Sequence, residues 1–456
     1  MTRFIQYAPE LVTDFYEFTM AASYLREEMS GQATFSLFIR GYPMHRAYYV
    51  SAGLEPLLDL IRGLRFSEES IAYLDSTGRF QKEFLDYLRS FRFSGTVRAI
   101  REGRIFFAQE PVIEVTAPII DAQILETLII NSLHHDIMVA SKAARCLHAA
   151  RGRTLIDFSL RRNQGIDAGV KTARDSYIAG FSGTSNVLAG KLHDIPVYGT
   201  MAHSYITSFD SEMEAFEAFA RAFPDSTVLL VDTYDTIRGT EKALQVARRM
   251  REQGREMIGI RLDSGDMGTL SRQVRQMCRD AGFGNLSIMF SGNMNEYRLQ
   301  DLLDEGAEVD VVAIGTRLGV SADAPYLDMS YKLVEYDGRP VLKLSSGKKT
   351  LVKEKQVYRL YDDRGRMSED ILGLREEDRT DGERLLEVVL ENGERVYPHE
   401  SLDDIRQRFS REWDRLPAPY KEIRPLQTYP VTISPSLLRS EEETVRRLHR
   451  DELENH

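Results

Sequence analysis

"TVLLVDTYDTIRGTEKALQVARRMREQGREMIGIRLDSGD", Thr227 to Asp266, reads as strand, helix, strand. The apolar run "TVLLV" gives way to the polar "DTYDT", then to the helically spaced "TEKALQVARRMREQG", then to a second apolar run that ends in "RLDSGD". Strands covered on both faces lose the apolar and polar alternation of a half-exposed strand, so near-continuous apolar runs separated by helices indicate a parallel sheet.

The same grammar extends in both directions. "TLIDFS", "YIAGFSG" and "IPVYGTM" precede this unit and "LSIMFSG" and "VDVVAIGTR" follow it, with "SEMEAFEAFARAF" and "TLSRQVRQMCRDAG" as helices between the later strands. Seven such units in roughly 170 residues suit an α/β barrel better than an open, doubly wound sheet, which stays as the alternative. In either architecture ligands gather at the carboxyl ends of the strands.

The flanks differ. Before Gly152, "ATFSLFIR" alternates like a strand, "SAGLEPLLDLIRGL" spaces its leucines like a helix, and "SGTVRAIREGRIFFAQEPVIEVTAP" offers two or three strands broken by Gly and Pro. A single long amphipathic helix, "DAQILETLIINSLHHDIMVASKAARCLHAARG", is expected to close at Gly152. From Tyr331 the pattern is β-rich again, with "YKLVEYDGRPVLKLSSGKK" and "KQVYRLYDDRGR" as hairpins. The expected division is an α+β domain with its linking helix at 1–135, the barrel at 136–330, and a segment at 331–456 that partly returns to the first domain.

Composition removes several classes. A net charge of −11 argues against a general nucleic-acid binder, which needs a surplus of Lys and Arg to displace counterions from phosphates. Cys146 and Cys278 are the only cysteines, far apart, so neither a zinc cluster nor a disulfide framework is supported. The start "MTRFIQYAPELVTDFYEF" lacks the basic and apolar regions of a signal peptide, and no apolar run of about 18 residues occurs, which predicts a cytoplasmic protein without membrane contact. "RDEL" at Arg450–Leu453 is not terminal and is no retrieval signal.

The strand ends carry the chemistry. They place Arg161 and Arg162, the turn Ser182–Asn186, His203, Asp232 and Asp235, then Arg261, Asp263 and Asp266, then Ser291 with Gly292, and Gly315 with Thr316. Gly-Ser and Gly-Thr turns leading into helices offer unpaired N–H groups to phosphate oxygens. Arginines supply forked donors, and carboxylates hold Mg²⁺ or ribose hydroxyls. A phosphorylated sugar is the economical ligand. Against this, a lone "SGD" or "SGN" is as often a helix cap, and a histidine at a helix start is often only a satisfied polar residue.

Taken in order, "TDFYEFTM", "FSLRRNQG", "GFSGTSNVLAGKLHDIPVYGTMAHS", "VDTYDT", "IRLDSGD", "FSGN" and "YKLVEYDGRPVLKLSSGKKT" resemble the nicotinate phosphoribosyltransferases. The resemblance runs from about Leu11 to Arg359. It implies the irregular α/β barrel of the type II phosphoribosyltransferases with an α+β domain. It also implies the joining of nicotinate to 5-phosphoribosyl 1-pyrophosphate, coupled to ATP hydrolysis, in NAD salvage. ATP is then a co-substrate, Mg²⁺ the cofactor, and His203 the residue that ATP phosphorylates.

The remaining roles follow from the same resemblance. Asp232 and Asp263 lie near the ribose, Asp263 and Asp266 at the metal, and Gly292, Asn293, Gly315 and Thr316 around the 5-phosphate. Arg40, Arg261, Lys332, Lys343 and Lys348 are the cations for phosphate and pyrophosphate, and Tyr16 and Phe158 sandwich the pyridine ring. Tyr16 is expected to come from a neighbouring subunit, which implies a homodimer. Relatives that use nicotinamide have an aspartate at the third position of the "GTS" turn. Ser185 there, with Arg161, favours the nicotinate carboxylate instead.

Departures from the family pattern are Phe15, Glu17 and Phe18 around the tyrosine and Asn163 in "SLRRNQG". The absence of cysteine after Cys278 excludes the C-terminal zinc site of some relatives. The alternatives are a nicotinamide phosphoribosyltransferase, a non-catalytic phosphoribosyl or nucleotide sensor on the same fold, and a barrel lyase. Ser185 opposes the first, the retention of His203, Asp263 and Asp266 opposes the second, and the lack of a lysine at any barrel strand end opposes the third.

Overall fold

The computed structural model describes residues 8–344 and 350–454. They form two compact units, one made of the residues up to Ser141 together with those from Tyr326 onward, the other of Lys142–Pro325. The chain crosses from the first to the second inside the helix Glu126–Ala150.

The Lys142–Pro325 unit is an irregular α/β barrel. Six strands, Thr154–Asp157, Gly183–Thr184, Val228–Leu230, Gly259–Leu262, Ser287–Phe290 and Val311–Ile314, pair in parallel, each beside its neighbour in sequence except that Gly183–Thr184 does not pair with Val228–Leu230. The last also pairs with the first, a closure that an open doubly wound sheet does not make. A seventh position, Val197, joins by a single bridge to Thr184. Among the described residues no pairing links Val197 to Val228–Leu230, so the ring has one loose side.

Local chemistry sets these elements. Gly259–Leu262 is buried at every residue, as a strand covered on both faces must be. Five of the helices in this unit start on side-chain caps. Asn186, Ser211, Asp235, Asp266 and Asn295 each accept an N–H from the first turn behind them. Inside the barrel Ile156, Met289 and Ala313 form an apolar cluster on which Phe158 packs.

Two readings are corrected. "YIAGFSG" is not a strand throughout, because Tyr177 and Ile178 end the helix Ile166–Ile178 and only Gly183–Thr184 pairs. The long helix is two helices, Ile119–Ile124 and Glu126–Ala150.

In the other unit the strand Gln32–Ile39 lies between Met329–Tyr336 and Pro111–Pro118, all antiparallel, within a seven-stranded sheet. Thr96–Ile100 and Leu386–Glu391 extend that sheet. Lys355–Tyr361 and Met367–Leu374 pair as a hairpin in a second, four-stranded sheet. Among the described residues no helix is long and apolar enough to cross a membrane.

Candidate active site

Arg261, on the strand Gly259–Leu262, organises the carboxyl-end rim of the barrel. Its side chain is almost buried, and the guanidinium donates to Ser291 Oγ (2.8 Å), Thr200 Oγ1 (2.8 Å), the Met201 carbonyl (2.9 Å) and Asp263 Oδ1 (3.1 Å). A planar fork with five donors suits this arrangement. It ties the end of the neighbouring strand Ser287–Phe290 to the segment Thr200–Met201 on the loose side of the ring. The same guanidinium stands 5.8 Å from the centre of the Phe158 ring.

That segment leads directly into His203, the first residue of the helix His203–Thr207. The imidazole is half-buried, and its Nδ1 is hydrogen-bonded to Thr233 Oγ1 at 3.1 Å. Asp232, beside Thr233, accepts with Oδ2 from the Asp263 N–H (2.9 Å) and the Ser264 hydroxyl (2.7 Å). Its Oδ1 is shielded from solvent and has no hydrogen-bond partner among the described residues. Burial works to raise the Asp263 carboxyl. Hydrogen bonds from Ser291 and Arg261, with the charges of Arg261 and His203, outweigh it and hold Asp263 below the usual carboxylate range.

His203, Asp232, Asp263 and Arg261 are therefore gathered, as the strand ends suggested. Asp266 is exposed and caps the helix Met267–Asp280 through Thr269 N–H, and hydrogen bonding from the Thr269 side chain, then from its N–H, holds its carboxyl low. Asp235 has the same capping role for Thr236–Glu252.

The glycine turns are built for close approach. Gly292 sits at φ +77°, and a Cβ there would lie 1.9 Å from the Asp263 carbonyl oxygen. Asn293 shares the left-handed region at φ 50°, and its Oδ1 accepts from Arg317 Nε at 3.3 Å. Gly315 passes within 2.9 Å of the Phe158 carbonyl, measured from where a Cβ would stand, and Thr316 opens a single helical turn. Phe158 is half-buried after the first strand, Arg161 is exposed, and Ser185 is half-buried with its N–H on the Asp157 carbonyl at 2.8 Å. Gly183 in the same turn has no room for a Cβ, which would meet the Pro196 carbonyl at 2.3 Å.

Tyr16, Arg40, Lys332 and Lys343 belong to the other unit. Tyr16 is exposed near the start of the helix Phe15–Arg26. Arg40 donates to Ser330 Oγ at 2.8 Å and pairs with Asp328 at 3.5 Å. Lys332 lies opposite Ser36 with its side chain exposed, and Lys343 is exposed just beyond the short strand Arg339–Pro340. Lys348 lies outside the described residues.

Residues that position this site without having been singled out are Thr233, Thr200, Ser264 and Asp157, while Thr184 lies within the turn Ser182–Asn186. Thr233 and Ser264 sit inside "VDTYDT" and "RLDSGD", so a hydroxyl beside each carboxylate was the available signal. Asn163 proves structural, with its amide donating to Thr172 Oγ1 (2.8 Å) and to the Gly319 carbonyl (3.2 Å).

An irregular α/β barrel whose rim holds paired carboxylates, an arginine hub and glycine turns defines a type II phosphoribosyltransferase architecture. Family models agree along the chain: the nicotinate phosphoribosyltransferase N-terminal domain matches residues 11–134, the family's main model residues 154–366, and its C-terminal domain residues 378–440. A nicotinate phosphoribosyltransferase of Mycobacterium tuberculosis is 42% identical over 99% of this chain and 96% of its own length. One from Bacillus subtilis is 34% identical over 93% of this chain and 92% of its own. The crystal structure of human nicotinic acid phosphoribosyltransferase superposes with a TM-score of 0.85 at 30% identity, covering 95% of this chain and all of that one. The chain belongs to the nicotinate phosphoribosyltransferase family.

Proposed function

We propose that the protein joins nicotinate to 5-phosphoribosyl 1-pyrophosphate, giving nicotinate mononucleotide and pyrophosphate, and couples this to ATP hydrolysis through a phosphate carried on His203. Such a reaction admits nicotinic acid to NAD synthesis. The observation that carries the reading is the convergence of His203, Asp232 and Asp263 around Arg261 at one rim of the barrel. The 42% identity to a relative of that name over nearly the whole chain supports it.

The residues divide the work. Thr233 fixes the imidazole of His203, and an oriented imidazole is a competent acceptor for the γ-phosphoryl group of ATP. The nitrogen–phosphorus bond forms as ADP leaves, and water later releases phosphate. At the sugar, departure of pyrophosphate leaves positive charge on C1 that the carboxylates of Asp232 and Asp263 stabilise while the pyridine nitrogen attacks. The main-chain N–H groups of Gly292, Asn293, Gly315 and Thr316 receive the 5-phosphate. Arg261 serves the pyrophosphate, and Arg40, Lys332, Lys343 and Lys348 are the further cations proposed for phosphate and pyrophosphate.

The pyridine ring stacks on Phe158 and on Tyr16 of a second copy in a homodimer. Ser185 and Arg161 meet its carboxylate. The donor set fits Mg²⁺: Asp263 is held ionised, Asp266 is an exposed carboxylate, and Asp232 keeps an orphaned oxygen. Asp263 and Asp266 are the residues that would hold it. Bound there, Mg²⁺ supplies neutralisation of the diphosphate charge. The cytosol is the compartment in which ATP and these substrates meet.

The test is mononucleotide formation from 5-phosphoribosyl 1-pyrophosphate with nicotinate or nicotinamide, with and without ATP. Product from nicotinate, accelerated by ATP, is expected. Product from nicotinamide alone would overturn the reading of Ser185.

A further inference from the structure

Asp157 is the last residue of the first barrel strand and is completely buried. Its carboxylate is shared between two loops. Oδ1 accepts the N–H of Ser159 at 2.8 Å, and Oδ2 accepts the hydroxyl of Thr184 at 2.7 Å. Its carbonyl takes the N–H of Ser185 at 2.8 Å. Thr184 Oγ1 in turn accepts the N–H of Asn186 at 3.0 Å, and Asn186 caps the helix Val187–His193.

A buried carboxylate is costly, and burial pushes the pKa of this one above the ordinary carboxylate value. A residue kept only for packing would be apolar. An amide would also fail, since both partners of Asp157 present donors and a side-chain amide has one acceptor oxygen. The arrangement has a geometric result: Ser159 follows Phe158 directly, and Thr184 precedes Ser185. One side chain thus fixes the main chain next to both residues assigned to the pyridine ring, the one that stacks and the one that reads its substituent.

We propose that Asp157, acting through Thr184, is a positioning residue that sets the spacing between Phe158 and Ser185, and with it the fit of nicotinate over nicotinamide. This rests on the reading of Phe158 and Ser185 as the pyridine-contacting residues. Asp157 touches no substrate and takes no part in proton transfer.

The test uses the full-length protein, with kcat and KM measured separately for nicotinate and for 5-phosphoribosyl 1-pyrophosphate, and with nicotinamide as competitor. Asp157→Asn and Thr184→Val remove the shared bond from opposite ends, and Thr184→Ser restores it. Losing one partner of a buried hydrogen bond predicts a rise of about tenfold in KM for nicotinate in both disrupting variants, with a reduced preference over nicotinamide. KM for the sugar diphosphate should stay within about twofold, and Thr184→Ser should behave like the parent. If Asp157→Asn does not fold, the near-isosteric Thr184→Val decides alone. Equal rises in both KM values, or a fall in thermal midpoint with both KM values unchanged, would reduce Asp157 to a scaffold role and overturn the proposal. A parent protein with no nicotinate turnover would instead remove the reading on which the slot depends, and the proposal with it.

Discussion

Replacing Arg261 should damage the site through the segment before His203 as well as through lost charge. In Arg261→Ala four acceptors lose their donor. Two of them, Ser291 Oγ and Asp263 Oδ1, keep their mutual bond at 2.5 Å. The loss therefore concentrates on the charge of Asp263, the Met201 carbonyl and the Thr200 hydroxyl. A charged hydrogen bond is worth about 1.5–3 kcal/mol, and breaking a buried pair about 3–5 kcal/mol, but rim water resolvates part of this group, so about 3 kcal/mol is the expected net loss. Spent on the transition state, that is roughly a hundredfold in kcat/KM. Arg261→Lys should lose about half as much free energy, because a single ammonium reaches the Ser291 side or the Met201 side but not both. Steady-state kinetics measures the first effect. Amide hydrogen exchange of the peptide from Gly199 to Thr207 measures the second, and protection there should fall in Arg261→Ala. Unchanged protection alongside lost activity would refute the claim that Arg261 holds the His203 segment.

Three further outcomes follow from the geometry. Gly292→Ala should abolish activity, since the added carbon would meet the Asp263 carbonyl at 1.9 Å and the residue is held at φ +77°. Turnover within tenfold of the parent would contradict that. Glu17 is buried and accepts from Thr13, from the Thr127 hydroxyl and from the Thr127 N–H, and burial chiefly pushes its carboxyl up to about 7. Because the folded value lies above the ordinary 4.5, the protonated form is favoured by folding. Its contribution is present below about pH 4.5 and is lost as pH rises towards 7. Thermal midpoints of the parent and Glu17→Gln should accordingly diverge between pH 5 and 8, with the parent losing about 1–2 kcal/mol relative to the variant after allowance for solvent screening. A pH-independent difference would count against it. Ser185→Asp should shift preference from nicotinate towards nicotinamide, read from competition between the two pyridines, and no change would remove Ser185 from substrate choice.

Much of the barrel was legible because each strand is a short apolar run that stops in a Gly, Asp or Ser. The failures share a cause. "YIAGFSG" is apolar and buried whether it ends a helix or forms a strand, and periodicity over so few residues does not separate the two. Asp157 stayed hidden because its partner Thr184 is 27 residues away, and only strand register brings them together. Thr233 and Thr200 were overlooked for the same reason: their hydroxyls acquire meaning from His203 and Arg261, which the fold carries to them. In the other unit, the pairing of Leu386–Glu391 with Thr96–Ile100 has no local signature at all. His203, Asp232, Asp263 and Arg261 stood out in the sequence because polar residues at the carboxyl ends of parallel strands have few purely structural duties.

The most direct test of the account is transfer of label from γ-³²P ATP to the protein, followed in one turnover. The parent should acquire an acid-labile, base-stable phosphate that is discharged as inorganic phosphate when 5-phosphoribosyl 1-pyrophosphate and nicotinate are added, and His203→Ala should acquire none. Label that persists in His203→Ala, or that the two substrates do not discharge, would contradict the claim that this site couples ATP to phosphoribosyl transfer through His203.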